Sequence, residues 1–292
     1  MFNTPKEIAE NYVAVGVAKT ELPISKMLIL GMFAGMFIAL ASLGQTFASA
    51  SLTGSLSRYL SAFIFPVGLA MVLIAGGELF TGNCLIVISV LEKKVKTTAM
   101  LKNWLFVYIG NFIGSIFVAA LFVYGGIGSF YDNGVAVAVI NTAVTKTTLP
   151  FLDALFRGIL CNFLVCIAVW MSYAAKDIAG KFIALFMPIW LFVMVSFEHS
   201  VANMYYITAG IFAAGNAHYR NAFIEVHGDP GLGLHSWGEL WTVNLIPVTV
   251  GNIIGGAVFV GMAYWLVYLR DSRGSKADIG ENSNPRTNGA NE

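Results

Sequence analysis

Residues 196–203 read Ser-Phe-Glu-His-Ser-Val-Ala-Asn and lie inside an apolar segment that extends over residues 183–214. An apolar segment of this length is typical of a membrane-spanning helix, and ionisable side chains are rare at that depth. Glu198 and His199 are therefore either satisfied structural residues or part of a path through the membrane. Residues 76–83 read Gly-Gly-Glu-Leu-Phe-Thr-Gly-Asn and have the same layout, with a glutamate five residues before an asparagine. Two such interruptions in matching places of two halves are typical of a transport site.

The composition indicates an integral membrane protein. Hydrophobic residues make up 57% of the chain and charged residues 11%, whereas soluble domains contain about 25% charged residues. The net charge of +1 and the lack of a long basic run argue against nucleic-acid binding. Cys84, Cys161 and Cys166 lie in apolar segments at spacings that fit no metal or disulfide framework, so we expect small core residues and no cofactor.

The apolar runs predict six spans in an all-α fold, each compatible with the ~20 residues that a bilayer requires. The runs cover residues 27–48, 59–91, 104–125, 152–174, 182–214 and 243–269. The second and fifth are too long for one straight span, and each contains one polar interruption. We therefore expect the second and fifth helices to be broken, each into two half-helices joined by unwound backbone.

Lysine and arginine residues concentrate on one side of these spans. That side carries Lys6, Lys19, Lys26, Lys93, Lys94, Lys96, Lys102, Lys176, Lys181, Arg270, Arg273 and Lys276. The other side carries Arg58, Lys146, Arg157 and Arg220. Because basic residues favour the cytoplasmic side, we expect a multi-pass protein of the inner or plasma membrane with both termini in the cytoplasm.

The two halves of the chain are predicted to be repeats. Residues 110–114 read Gly-Asn-Phe-Ile-Gly in the third span, and residues 251–255 read Gly-Asn-Ile-Ile-Gly in the sixth. Each half has three spans, and an odd number inverts the second half in the membrane. Small residues four apart, as in these motifs and at Gly31 and Gly35, favour close helix packing. Residues 1–270 form the predicted membrane domain, with an extracytoplasmic loop at 215–242, and residues 271–292 are predicted to form a disordered cytoplasmic tail.

His199 is the strongest candidate for a functional residue. A core histidine bonded to backbone would be the ordinary interpretation in a soluble protein, but inside a span, beside a helix break, a functional role is the default. Thr81 offers a hydroxyl to a ligand or to His199. Asn83 and Asn203 are expected to bond to unpaired backbone groups at the breaks, and the half-helix that begins near Asn83 points its positive dipole end at the break.

The acidic and basic candidates have ordinary interpretations. Adjacent helical positions do not share a face, so Glu198 is expected to point away from the surface that His199 faces. Glu78 and Glu198 are interpreted as structural carboxylates and not as substrate ligands. Lys146, within residues 141–148, has the pattern of a solvated loop lysine. The remaining histidines are too widely spaced to predict a metal site; they are His218, His227 and His235.

These motifs together resemble the formate/nitrite transporter family. The resemblance rests on residues 77–83, 162–170, 197–204 and 244–256, and it extends over about residues 5–270. It implies an aquaporin-like protomer in a homopentamer with one pore per subunit. It also implies that His199 is the central pore histidine, that Thr81 belongs to the mobile loop of the second span, and that two residues support the histidine, namely Lys146 and Asn162.

The resemblance further implies two pore constrictions. Phe65, Leu69 and Phe192 correspond to the cytoplasmic constriction, and Leu79 and Phe80 lie near the outer one. The predicted function is therefore not enzymatic. It is a channel or transporter in the lipid bilayer for small monovalent weak-acid anions, with formate ranked first and proton coupling through His199.

Several alternatives remain open at this stage. Nitrite, hydrosulfide and short carboxylates are substrates of the same class as formate. A water or glycerol channel has a similar architecture, but such channels carry Asn-Pro-Ala at both breaks, and neither break here contains proline. A haem-carrying membrane subunit would require paired intramembrane histidines, whereas His199 is alone in its span.

Overall fold

The chain is helical throughout the residues that the computed structural model describes, which are 2–52, 54–228 and 236–270. No β-strand occurs among these residues. In chain order the helices are α1 Pro5–Glu21, α2 Ile24–Ala50, α3 Gly54–Gly76, α4 Phe80–Leu91, α5 Thr97–Tyr124, α6 Gly134–Thr147, α7 Phe151–Ala174, α8 Ile178–Met194, α9 Ser200–Gly215, α10 Ala217–His227 and α11 Trp237–Tyr268. The predicted tail at 271–292 lies outside the described residues.

Five of these helices are long and apolar enough to cross a membrane: α2, α3, α5, α7 and α11. The first, third and fourth predicted spans correspond to α2, α5 and α7, and the sixth corresponds to α11, which begins earlier than predicted. The second predicted span is divided between α3 and α4, and the fifth between α8 and α9. The expectation of a multi-pass helical membrane protein with two broken helices is confirmed.

The breaks occur where the backbone leaves the helical region. Gly76 has a φ of +96° at the end of α3, a value that L side chains rarely adopt, and Gly77 after it is extended. In the second half Ser196 adopts a φ of +59° after α8. The following half-helices begin at Phe80 and Ser200. The expectation that the first of them begins near Asn83 is therefore wrong by one turn.

Glycines bring the spans of each half into backbone contact. Helix α2 packs against α5, and α7 packs against α11 in the corresponding manner. A Cβ atom on Gly114 would clash with the carbonyl oxygen of Met32, and one on Gly255 would clash with that of Ile159. The close packing predicted from the spacing of these glycines is confirmed.

Two helices that the sequence analysis did not assign complete the repeat. Helix α1 precedes α2, and α6 precedes α7, and the last turn of each carries a lysine, Lys19 or Lys146. The interpretation of Lys146 as a loop residue is therefore wrong. The predicted loop at 215–242 also contains α10, while residues 229–235 lie outside the described part of the chain.

The two lysines lie at opposite ends of the bundle. Helix α2 begins beside α1, and its last turns, at Gln45 and Ser49, line the cavity that contains Lys146. We call the end that carries α1 the near end and the opposite one the far end. The two halves therefore have opposite directions in the bundle.

Candidate functional site

At the far end a closed ring of hydrogen bonds surrounds the carboxylate of Glu198. Lys146 Nζ donates to both carboxylate oxygens, at 3.0 Å each, and Asn203 Nδ2 donates to Oε2 at 2.6 Å. Asn203 also donates to Asn244 Oδ1 at 2.8 Å, and Asn244 donates to the carbonyl of Lys146 at 3.0 Å. The ion pair is buried, with side chains 13% and 4% exposed. It is therefore a structural ion pair held by two amides.

The near end repeats this ring around Glu78. Lys19 Nζ donates to Glu78 Oε1 at 2.7 Å, and Asn83 donates to Oε2 at 2.7 Å. Asn83 donates further to Asn103 Oδ1 at 2.8 Å, and Asn103 donates to the carbonyl of Lys19 at 2.9 Å. The two glutamates are structural, as expected. Asn83 and its counterpart in the far ring bond to carboxylates, so the prediction that they satisfy orphan backbone groups is wrong.

Asn111 and Asn252 satisfy the backbone groups at the two breaks. Asn111 accepts from Phe80 N–H at 3.0 Å and donates to the carbonyls of Gly31 and Glu78 at 2.7 and 2.8 Å. Asn252 forms the same three bonds in the other half, at 2.9, 2.8 and 3.0 Å, with Ser200, Gly158 and Glu198. The sequence predicted for these residues only that they mark the repeat. Their position between two glycines, in the same place of both halves, was the available signal for a role at the breaks.

The two breaks meet at a buried Thr81–His199 hydrogen bond. Thr81 Oγ1 lies 2.8 Å from His199 Nε2, and the residues are 0% and 3% exposed. His199 Nδ1 accepts the N–H of Ala202 at 3.1 Å, so His199 caps the N-terminus of α9. Because that bond occupies the Nδ1 lone pair, a neutral imidazole carries its proton on Nε2. His199 therefore presents an N–H donor to the centre of the bundle.

The two predicted supports of His199, Asn162 and Lys146, form their hydrogen bonds with neighbouring residues. Asn162 donates to the carbonyls of Thr81 and Asn252, at 3.2 and 2.6 Å, and so positions the threonine side of the pair. Lys146 bonds to Glu198, the residue before the histidine. Glu198 and His199 line the same cavity, so the prediction that they face apart is wrong. Both residues precede α9, and the argument from helical faces does not apply to them.

Two cavities approach this centre from opposite ends. The far cavity, of about 210 Å³, is lined by Phe65 and Phe192 together with the polar residues Gln45, Thr46, Ser49, Asn141, Thr142, Thr145, Lys146, Arg157, Ser196, Glu198, His199, Asn203 and Tyr206. The near cavity, of about 30 Å³, is smaller and is lined by Leu69 and Leu79 together with Tyr12, Lys19, Val72, Leu73, Gly77, Gly82, Asn83, Val169 and Tyr173. The far cavity is therefore larger and more polar than the near one.

The constriction residues are grouped differently from the expectation. Phe65 and Phe192 meet edge to face in the far cavity, with ring centroids 5.4 Å apart, and Phe192 stacks on the His199 ring at 5.9 Å. Leu69 and Leu79 line the near cavity together. The expected set of Phe65, Leu69 and Phe192 is therefore divided between the two ends. Phe80 lines neither cavity and packs against aromatic rings of α5, with centroids 4.9 Å from Tyr108 and 6.0 Å from Trp104.

Two inverted helical halves, two broken helices that meet at a buried polar pair and a cavity toward each end define a membrane transport protein of the channel class. A family model described as formate/nitrite transporter matches residues 6–266. The chain belongs to the formate/nitrite transporter family, whose members are channels and not enzymes. The family resemblance inferred from the motifs is confirmed.

Relatives and a solved structure match the chain over nearly its whole length. The uncharacterized transporter YrhG of Bacillus subtilis is 38% identical over 280 residues, which cover 94% of this chain and 97% of YrhG. The formate channel FocA of Escherichia coli is 33% identical over 282 residues, covering 92% and 95%. A pentameric formate channel with formate bound superposes with a TM-score of 0.75 at 32% identity, covering 85% of this chain and 98% of the solved chain.

Proposed function

We propose that this protein is a channel for small monovalent weak-acid anions, with formate as the first-ranked substrate. The observation that carries the proposal is the buried Thr81–His199 hydrogen bond, which lies between the Phe65–Phe192 pair of the far cavity and the leucine-lined near cavity. Relatives named as formate channels, at 33–36% identity, support formate as the anion. Nitrite and hydrosulfide have the same charge and the same weak-acid chemistry, and they rank next.

The constrictions determine the form in which the substrate crosses. An anion that passes between Phe65 and Phe192 loses its hydration. A charge in an apolar environment costs far more free energy than a neutral acid. The anion of a weak acid can take up a proton and cross such a constriction without charge. This property distinguishes formate from chloride, which stays charged at any physiological pH.

In this proposal His199 and Asn203 hold the substrate between the constrictions. The Nε2–H of His199 donates to an oxygen of the anion in place of Thr81. Asn203 uses its amide protons on Glu198 and Asn244, and among the described residues its buried Oδ1 has no hydrogen-bond partner. Asn203 lines the same cavity, and its Oδ1 provides an acceptor for the O–H of the protonated acid.

The proposal includes proton coupling through His199. For Nε2 to give its proton to the substrate without leaving an imidazolate, Nδ1 must take up a proton from water in the far cavity, and the Nδ1 lone pair accepts the N–H of Ala202. That hydrogen bond therefore opens during each transfer, and the first turn of α9 loosens with it. Lys146 and Asn162 keep the surrounding breaks in place through their bonds to Glu198 and to the Thr81 carbonyl.

Two substitutions of His199 separate these roles in proteoliposomes of verified protein content. His199→Phe removes the donor, and we expect formate flux to fall about tenfold or more, as for the loss of one hydrogen bond to a charged group. His199→Asn keeps an N–H donor but cannot relay a proton, so formate-driven internal acidification should be lost. Competition with nitrite, hydrosulfide and chloride ranks the substrates in the same vesicles.

Unchanged formate flux in His199→Phe would remove His199 from the mechanism. Retained acidification in His199→Asn would leave it as a hydrogen-bond donor only. A stopped-flow water permeability far above that of the lipid, without anion flux, would favour a water channel instead.

We also propose that five copies assemble in the cytoplasmic membrane with both termini in the cytoplasm. The relative of known structure is named as pentameric. Large apolar side chains are exposed along the outer faces of α5 and α7, where lipid or a neighbouring subunit would cover them; they include Leu105, Phe117, Leu121, Phe156 and Leu160. Native mass spectrometry should give five subunits, and a terminal tag should be protease-sensitive only in inside-out vesicles. A monomeric mass would contradict the assembly.

A further inference from the structure

We infer that Arg157, whose ion-pair partner is exposed to solvent, provides the positive charge of the far cavity that captures anions entering from that end. The inference rests on the proposed function and adds a residue that determines the apparent affinity on one side of the membrane. The charged residues lining the far cavity, within the described chain, are Lys146, Arg157 and Glu198. The net formal charge of this lining is therefore one positive unit.

Lys146 does not provide that charge. Its ammonium group lies 3.0 Å from both oxygens of Glu198, and the pair is buried, so its field falls off as that of a dipole. The Lys19–Glu78 pair at the near end is compensated in the same way. Neither lysine therefore attracts an anion from a distance.

Arg157 has a much weaker partner. Its Nη2 lies 3.6 Å from Asp153 Oδ2, one turn earlier on α7, and the two side chains are 41% and 50% exposed. Exposed pairs of this kind contribute little because water screens them. Asp153 does not belong to the cavity lining, whereas Arg157 does. The guanidinium charge is therefore available to an anion at the cavity mouth, within the Debye length of ~8 Å at physiological salt.

Comparison of the two repeats separates the charge of Arg157 from the role of its backbone. At the near end Glu78 N–H donates to the carbonyl of Leu30 at 3.1 Å, and at the far end Glu198 N–H donates to the carbonyl of Arg157 at 3.3 Å. Leu30 and Arg157 thus hold the same structural position through the same backbone bond. The backbone role does not depend on the side chain, because leucine fulfils it in the other half. The guanidinium is therefore an addition to the far cavity and has no counterpart in the near one.

The decisive variant is Arg157→Leu, which places in the far half the residue that the near half already contains. Formate uptake is measured in vesicles of one orientation, identified by the side on which an N-terminal tag is accessible. For formate supplied at the far end, we expect KM to rise about three- to tenfold at low ionic strength, with the saturating rate unchanged, because one charge no longer concentrates the anion. The rise should largely disappear at high salt, and KM for formate supplied at the near end should stay the same.

Two further variants separate charge from structure. Arg157→Lys should restore the wild-type KM, and Asp153→Asn, which removes the counter-charge, should lower it. An unchanged KM in Arg157→Leu, a rise that persists at high salt, an equal rise at both ends, or a failure of lysine to restore it would overturn the inference. Absence of formate flux in the wild-type protein would instead refute the proposed function, so the two failures are distinguishable.

Discussion

The near and far ends of the molecule share one hydrogen-bonded framework and differ in the chemistry that it carries. Each end has a lysine paired with a glutamate, two asparagines that close the ring, and a third asparagine that holds the broken backbone. The distances agree closely between the ends. The framework therefore holds the two broken helices in the membrane. Both halves contain it, although they contribute different residues to the pore.

The two halves differ at the positions between these repeated supports. His199 occupies the position that Leu79 holds in the first half, and Thr81 occupies the position that Val201 holds in the second. Each half therefore contributes one polar partner to the central hydrogen bond, and only the inverted arrangement brings the two together. The first half provides the hydroxyl of Thr81 as acceptor, and the second half provides the imidazole of His199 as donor.

The largest effect is expected where the framework itself is broken. Asn252→Leu and Asn111→Leu each remove three buried hydrogen bonds and leave two backbone groups at the break without partners, at about 1–3 kcal/mol each, so we expect losses of roughly 4 kcal/mol. The two variants should be equally unstable because their bonds are equivalent. Thermal stability of detergent-purified protein, followed by size-exclusion chromatography, measures both. Wild-type stability in either variant would show that its break is held by other contacts.

A smaller effect is expected from the ion pairs. Lys146→Met leaves Glu198 buried without its counter-charge, at about 3 kcal/mol, and the double variant with Glu198→Gln should recover most of that loss. Lys19→Met should cost less, because the Lys19–Glu78 side chains are 19% and 9% exposed, against 13% and 4% for the far pair. The same thermal assay compares the variants. Equal losses at the two ends, or no recovery in the double variant, would contradict this ordering.

The sequence predicted the spans well because long apolar runs have few alternatives to membrane helices. It also predicted that each break contains a structural carboxylate. It missed α1 and α6 as parts of the repeat, because they are short and only partly apolar. It assigned Asn83 and Asn203 to the backbone, because an amide beside a break has several possible partners, and sequence distance does not select among them.

The order of residues along the chain was enough to show that the protein crosses a membrane, that its second and fifth predicted spans are interrupted, and that it belongs to one family of channels. These conclusions depend on hydropathy and on local motifs, which are properties of contiguous residues. The packing of the helices was needed to show that Thr81 and His199 bond to each other across 118 positions, and that Arg157 lines the far cavity beside Lys146 and Glu198. Both facts depend on how two inverted halves pack, and packing brings together residues whose separation along the chain carries no record of their distance in space.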